Sequence, residues 1–354
     1  MSQAGPSVPC RRPAGFIAAI LLAACSPSST SPAAVDNSTL WIVGGKAVGA
    51  NIANGAVALT LDQLRASNSP LSAATLSLPT TSGHNIDATA DAVDTAGDLW
   101  IANDNSNTVV ALTPAQLGAG GSPTPAITLS GSAINTPYAL AFDARGNLWV
   151  GNNVPGTIVE FTPAQLAAGG TPTPVTTLVD TVQGGSAEPG GLAFDTAGNL
   201  WVANNLVSMI VKYPVGQLHT GGVATVTISG SGLDWPEEIA FDNRGNLWVA
   251  NTAVDNGHGS IVEFPASALA SSGSPNVAVT LRPPGAQFGP IVTGVAFDRS
   301  GDLWYTELSS YSLGEYTMAQ LAGGGDPTPV VHAAIQDSLA PVGLAFYQRS
   351  KRLP

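Results

Sequence analysis

Two adjacent glutamates, Glu237 and Glu238, follow Trp235 and Pro236 in a chain with only 10% charged residues. Trp235 is one of seven tryptophans, and it alone stands outside a phrase that carries the other six. Carboxylates beside an aromatic ring suit the wall of a ligand pocket, where apolar contact is joined by a few orienting polar groups. Tyr138 aligns with Glu237 by internal repetition and adds a second ring. Glu307 is of interest because it breaks a series of asparagines. His258, in Asn256-Gly257-His258-Gly259, has the side chain best suited to move a proton near neutral pH. Glu237, Glu307 and His258 are therefore the candidate catalytic residues. Tyr138, Trp235, Glu237 and Glu238 are candidates for ligand contact.

The elements that must position these residues come from a repeat. The phrase Ala141-Phe142-Asp143-Ala144-Arg145-Gly146-Asn147-Leu148-Trp149-Val150 recurs from Ala193 to Val202 and from Ala240 to Val249. Looser copies run from Ala92 to Ile101 and from Ala296 to Tyr305. Each reads as a strand, a tight turn and a second strand. The turn needs Asp to bond the backbone two residues on, and Gly to tolerate positive φ. A third strand (Thr157 to Phe161), one helical turn opened by Thr162-Pro163, and a threonine-rich fourth strand (Pro174 to Leu178) complete the unit. Inner strands apolar on both faces and outer strands that meet water predict radially stacked sheets.

Counting the strand-two tryptophans, Trp41, Trp100, Trp149, Trp201, Trp248 and Trp304, gives six units at roughly the ~40–50-residue spacing of propeller blades. The first unit lacks its first strand, and Gly343-Leu344-Ala345-Phe346 supplies one with no unit after it. The expectation is an all-β, six-bladed β-propeller of four-stranded antiparallel blades, closed when the C-terminal strand joins the N-terminal blade. The residue five before each turn Asp should look into the central channel first: Thr89, Tyr138, Gly190, Glu237 and Thr293, with Val342 in the closing blade. Asn103, Asn152, Asn204 and Asn251 end the second strands. They suit either a circle of amides around a polar ligand or local backbone bonding at strand ends. Asp255 and Glu188 flank the same face, and His84, like His258, falls in a loop there. Glu160, Glu263 and Glu315, on or beside the third strands, read as blade-surface charges.

Composition excludes some partners. A net charge of −12 disfavours nucleic acid and anionic lipid. The two cysteines, Cys10 and Cys25, leave none in the repeat to bridge, ligate or attack. Arg11 and Arg12 precede an apolar run from Ala14 to Ala24 that suits a signal peptide rather than a mature membrane span. Leu22-Ala23-Ala24-Cys25 resembles the bacterial lipobox, whose cysteine becomes a lipidated N-terminus. The resulting division is 1–24 signal peptide, 25–38 Ser/Pro-rich tether and 39–354 propeller. Cell-envelope location follows, with a lipid on Cys25 as membrane anchor. The following Ser26 favours the outer membrane if the host has one.

The blade phrase, as in Gly191-Leu192-Ala193-Phe194-Asp195 with Gly198-Asn199-Leu200-Trp201-Val202, resembles NHL-type propellers and the wider group of virginiamycin B lyase and gluconolactonase/regucalcin. The gluconolactonase resemblance implies a metal cage of two acidic and two amide side chains. Here the equivalent ring offers one acid, Glu237, and no Asn, so that cage is not expected. The lyase resemblance, closest from Gly294 to Glu307, implies a histidine base and Mg²⁺. The expected function is a monomeric, lipid-anchored binding module presenting its top face to an envelope protein or glycan. The alternative is a lyase-like or lactonase-like metal-dependent enzyme. No cofactor is expected beyond a divalent cation in that alternative.

Overall fold

The computed structural model describes residues 39–48, 51–60, 64–65, 74–77, 88–180, 187–230, 232–252, 259–285, 289–323, 326–335 and 339–347. The expected leader, tether and lipid-bearing Cys25 lie outside these residues, as do His84, Asp255 and His258. Among the described residues no helix is long and apolar enough to cross a membrane.

Six four-stranded antiparallel sheets form a ring. Blade 3 shows the unit: Pro137–Phe142, Leu148–Asn152, Thr157–Phe161 and Thr176–Val179, each hydrogen-bonded to the next. The turn between the first two strands explains why the phrase recurs. Asp143 Oδ1 accepts from the amides of Arg145 (2.8 Å) and Asn147 (2.9 Å). Its Oδ2 accepts from Asn147 Nδ2 (2.8 Å) and from the indole of Trp149 (3.3 Å). The indole bond recurs as Trp100 to Asp94, Trp201 to Asp195, Trp248 to Asp242 and Trp304 to Asp298. One aspartate thus shapes the turn and satisfies a buried N–H, so neither residue of the pair can drift alone.

The same tryptophans bind blade to blade. Trp149 meets Phe194 of the next blade edge-on with ring centroids 6.0 Å apart. Trp100–Phe142, Trp201–Phe241, Trp248–Phe297 and Trp304–Phe346 repeat the arrangement. Each pair adds about 0.5–1.5 kcal/mol beyond the area it buries. The helical turns close in the expected way: Thr162 caps Pro163–Ala168, and Gln165 reaches back to the Thr162 amide (2.8 Å).

Closure is by strand exchange between the ends. Leu339–Tyr347 pairs antiparallel with Thr39–Val48, Trp41 opposite Ala345 and Ile42 opposite Leu344. Blade 1 therefore consists of the last strand and the first three, with Asn51–Thr60 and Ala74–Ser77 outermost. Arg65, in a helical turn of blade 1, reaches the last blade. It donates to Asp302 (2.9 Å), Asp298 (3.1 Å) and, through Nε, Glu315 (3.0 Å). Its guanidinium lies 5.9 Å from the Trp304 ring centroid.

One expectation is corrected here. Glu160, Glu263 and Glu315 read as blade-surface charges, but they are buried between blades. Glu160 accepts from Thr176 (2.6 Å) and meets His219 of blade 4 (2.9 Å). Alternation within one sheet places such a residue on a face, but the neighbouring blade covers that face.

Candidate functional site

The innermost strands carry a bulge at a recurring place. Pairing slips between Ala88 and Ala90, Pro137 and Ala139, Pro189 and Gly191, Pro236 and Ile239, and Val292 and Gly294. A bulge re-aims the extra side chain. Here it turns Thr89, Tyr138, Gly190, Glu237 and Thr293 toward the axis, where with Val342 they line a central cavity of about 460 Å³. That volume suits a small organic ligand.

Four carboxylates line this cavity: Asp91, Glu188, Glu237 and Glu238. Glu237 and Glu238 keep some accessible surface because they face the cavity, yet lie deep in the protein mass. Burial raises Glu237 to about 7, with the negative charge of Glu188 adding and a hydrogen bond from Asn205 Nδ2 (3.4 Å) opposing. Burial also pushes Glu238 well above the carboxylate range, and the charge of Asp91 adds to it. One Glu238 oxygen accepts from the amide of Val295 in the next blade (3.2 Å).

Asp91 is the residue that sequence reasoning missed. It is 5% exposed, lines the cavity, and neither carboxylate oxygen has a hydrogen-bond partner in the protein. Burial holds its carboxyl well above the usual range. The signal was present two residues beyond the first channel position. There the other blades carry Leu140, Leu192, Ile239, Val295 and Leu344. The preceding position is equally telling, with Ala90, Ala139, Gly191, Gly294 and Gly343 against Glu238. The two columns pack across blade boundaries, as Leu140 does on Ala90 and Leu192 on Ala139. The protein thus replaces one large and one small member of a repeated apolar joint with acids.

The aromatic candidates also reach the cavity. Trp235 adopts φ of +50°, a rare conformation for a bulky residue. Its carbonyl accepts from the Thr252 amide and hydroxyl (both 3.1 Å), and its amide donates to Ser208 Oγ (3.1 Å). Tyr138 stands beside Glu237, whose charge, with burial and the charges of Asp104 and Glu188, raises its phenol far above its ordinary value.

The strand-end residues lie elsewhere. Asn152 Oδ1 accepts from the Asn135 amide (3.0 Å), and its Nδ2 donates to the Ala133 carbonyl (3.0 Å). Asn251 does the same with Asp234 (3.1 Å) and Gly232 (2.7 Å). Asn103 and Asn204 occupy the equivalent buried strand ends. Glu307 replaces the amide in blade 6. It accepts from the amides of Ile291 (2.9 Å), Ser309 (2.7 Å) and Ser310 (2.8 Å), and from both serine hydroxyls. None of these five lines the cavity; the next residues, Asn153, Asn205, Thr252 and Leu308, do. Successive side chains alternate, so the residue that organises the loop and the residue that faces the channel differ by one. The structure brings Tyr138, Trp235, Glu237 and Glu238 together and leaves Glu307 apart from them.

The described acids whose oxygens approach within 4.8 Å of one another, as a single ion would need, are Asp298, Asp302 and Glu315. That group lies away from the channel and already holds Arg65.

No family model matches the chain, and no curated protein matches its sequence. Solved structures do match its shape. A protein of unknown function from Bacteroides caccae is 14% identical with a TM-score of 0.60, over 88% of this chain and 99% of that one. The chain has the fold of the six-bladed β-propellers. Virginiamycin B lyase from Staphylococcus aureus aligns at 14% identity and a TM-score of 0.54, over 87% of this chain and 92% of the lyase. A chain of a nidogen/laminin complex aligns at 13% identity and 0.60, over 88% and 100%. The three likenesses therefore span a lyase, a binding partnership and a protein without assigned activity, on one propeller fold.

Proposed function

We propose that this chain is an exported, lipid-anchored propeller that binds a small ligand in its central cavity. The observation that carries this reading is the asymmetry of the cavity wall. Five of six blades present apolar residues at the position of Asp91, and five present Ala or Gly at that of Glu238. The departures face one cavity and meet Tyr138 and Trp235 there. A fold-only role gives no reason for buried acids at apolar joints. The anchor rests on the arginine pair, the apolar run and the lipobox-like Cys25.

The test is a thermal-shift screen of small metabolites on the wild type and on Tyr138→Ala/Trp235→Ala. A ligand at 100 times its Kd adds about 2.7 kcal/mol of stability. Shifts that vanish in the double variant support the cavity. Shifts that are the same in both proteins, or none across the collection, count against it. Mass spectrometry of the mature N-terminus, with Cys25→Ala as control, tests the lipid.

One observation favours a second reading, a lyase-like or lactonase-like enzyme. Glu237 is held at about 7, where a carboxyl exchanges protons readily at neutral pH. Under this reading Glu237 is the acid–base residue, and a divalent cation would join it. A divalent-cation thermal-shift series, with Glu237→Gln as control, separates this from simple binding. Glu307, with its carboxylate committed to the loop of Ser309 and Ser310, is better suited to shape than to proton transfer.

A further inference from the structure

We propose that the cavity takes a small organic cation, a molecule with an ammonium end seated by Asp91 and Glu238 and a hydrocarbon body against Tyr138 and Trp235. The inference rests on the cavity being a ligand site and specifies what it accepts.

The first observation is that Asp91 lacks any protein donor. Both oxygens are unpaired in a residue that is 5% exposed. An uncompensated buried carboxylate costs several kcal/mol. The hydroxyls on the cavity wall do not relieve it. Thr293 Oγ1 donates to the Pro341 carbonyl (2.9 Å), and Thr89 Oγ1 to the Pro137 carbonyl (2.7 Å). Glycines of the neighbouring blades make room for the acids themselves. A Cβ on Gly343 would collide with Asp91 Oδ1, and one on Gly294 would stand 2.8 Å from Glu238 Oε2.

The second observation is the sign of the charge. Asp91, Glu188, Glu237 and Glu238 line the cavity, and among the described residues no Lys, Arg or His does. Asp104 adds its charge at Tyr138. Other buried acids of this protein are met by its own groups: Arg65 reaches Asp298, Asp302 and Glu315, and the Ile291, Ser309 and Ser310 amides hold Glu307. When these cavity acids ionise, the described lining offers them no cation, and a cationic guest supplies one.

The third observation separates an organic cation from a metal ion. A hard divalent ion needs about six to eight oxygens at roughly 2.3–2.6 Å. Asp91, Glu237 and Glu238 do not converge to the 4.8 Å spacing that the Arg65-bound acids reach. Leu140, Leu192, Ile291, Leu308 and Val342 line the same cavity, and they offer a metal nothing and a methylene chain much. Tyr138 and Trp235 add aromatic surface for the hydrocarbon body.

The experiment is calorimetric titration of the full chain with an amine series from 1,3-diaminopropane to spermidine. Controls are 1,5-pentanediol, glutarate, and calcium or magnesium alone. Variants are Asp91→Leu and Glu238→Gly, residues that other blades carry at those positions, and Asp91→Asn, which keeps the shape and removes the charge. The expected result is that one or more amines bind, the diol and glutarate do not, and each variant weakens the amine at least tenfold. The cation class is overturned if no amine binds, if the diol binds as well as the amine, or if the variants leave amine binding unchanged. A response to calcium or magnesium alone that Asp91→Leu abolishes overturns it in favour of a metal site. Binding of the diol or glutarate that Tyr138→Ala/Trp235→Ala removes, with no amine bound, sinks the cation and leaves the cavity reading standing. If no probe and no metabolite responds to that double variant, both fall.

Discussion

The carboxylate of Asp91 lies where the methyl of an alanine at residue 343 would have to go. Asp91 belongs to the inner strand of blade 2 and Gly343 to that of blade 1, so the contact spans the joint where the ring closes. Gly343→Ala should cost about 1–3 kcal/mol, the usual price of overpacking. Asp91→Leu with Gly343→Ala restores the pair that Leu140 and Ala90 make one blade on. The double variant should therefore be more stable than the sum of the singles predicts, by at least ~0.5 kcal/mol. A urea-melt double-mutant cycle measures this, and simple additivity would count against the joint.

Stability of the ligand-free protein should fall as pH rises from about 4.5 to about 7. Glu237 titrates near 7 when folded, against an ordinary 4.5. Between those values the folded state holds the extra proton, so the stabilisation is present at low pH and lost on passing the folded value. The slope for one group reaches at most about 1.4 kcal/mol per pH unit. Glu237→Gln should flatten its share. Asp91 and Glu238 are shifted in the same direction, so Asp91→Leu should raise stability most at the alkaline end. Melts across pH 4 to 9 check both.

Arg65→Ala should loosen the closure of the ring. It removes the cation from Asp298, Asp302 and Glu315. Because the Arg65 side chain is 37% exposed, the loss should be about 1–3 kcal/mol, below that for a fully buried pair. The three acids then stand within 4.8 Å of one another with no cation among them. Millimolar calcium should recover part of the lost Tm in Arg65→Ala and do little to the wild type. Equal responses in both would show that the arginine is not the internal counter-ion.

Glu307→Asn should be tolerated, since the other blades end the same strand with Asn152, Asn204 and Asn251. Glu307→Ala should cost about 1–3 kcal/mol by orphaning the amides of Ile291, Ser309 and Ser310. Ligand affinity should stay within about twofold for Glu307→Asn, measured by the titration above. A large loss of binding would place Glu307 in the site.

What could be read in the sequence was what the repeat enforces. Asp143 and Trp149 recur together because one bond needs both, so turns, strands and blade number were visible, as was the strand that Phe346 completes. The first channel position was also readable, because the bulge re-aims it in blade after blade. The site was harder to read because it consists of departures from the repeat. Asp91 looked like one more member of an inner strand until its column was compared with Leu140 and Val295. Asn152 was readable only as one of two roles; its bonds to Asn135 and Ala133 are the local one, and alternation gives the channel to Asn153. Glu160 and Glu315 misled because the covering surface comes from a neighbouring blade, which the pattern of a single sheet does not contain.

The pairing of Trp41 with Ala345 has a consequence for biogenesis. The partner of the earliest strand is the latest to be synthesised. The nascent propeller therefore carries an unpaired edge from its first strand until Leu339–Tyr347 has been made. A chain cut before Leu339 keeps that edge open and should remain a target for proteases.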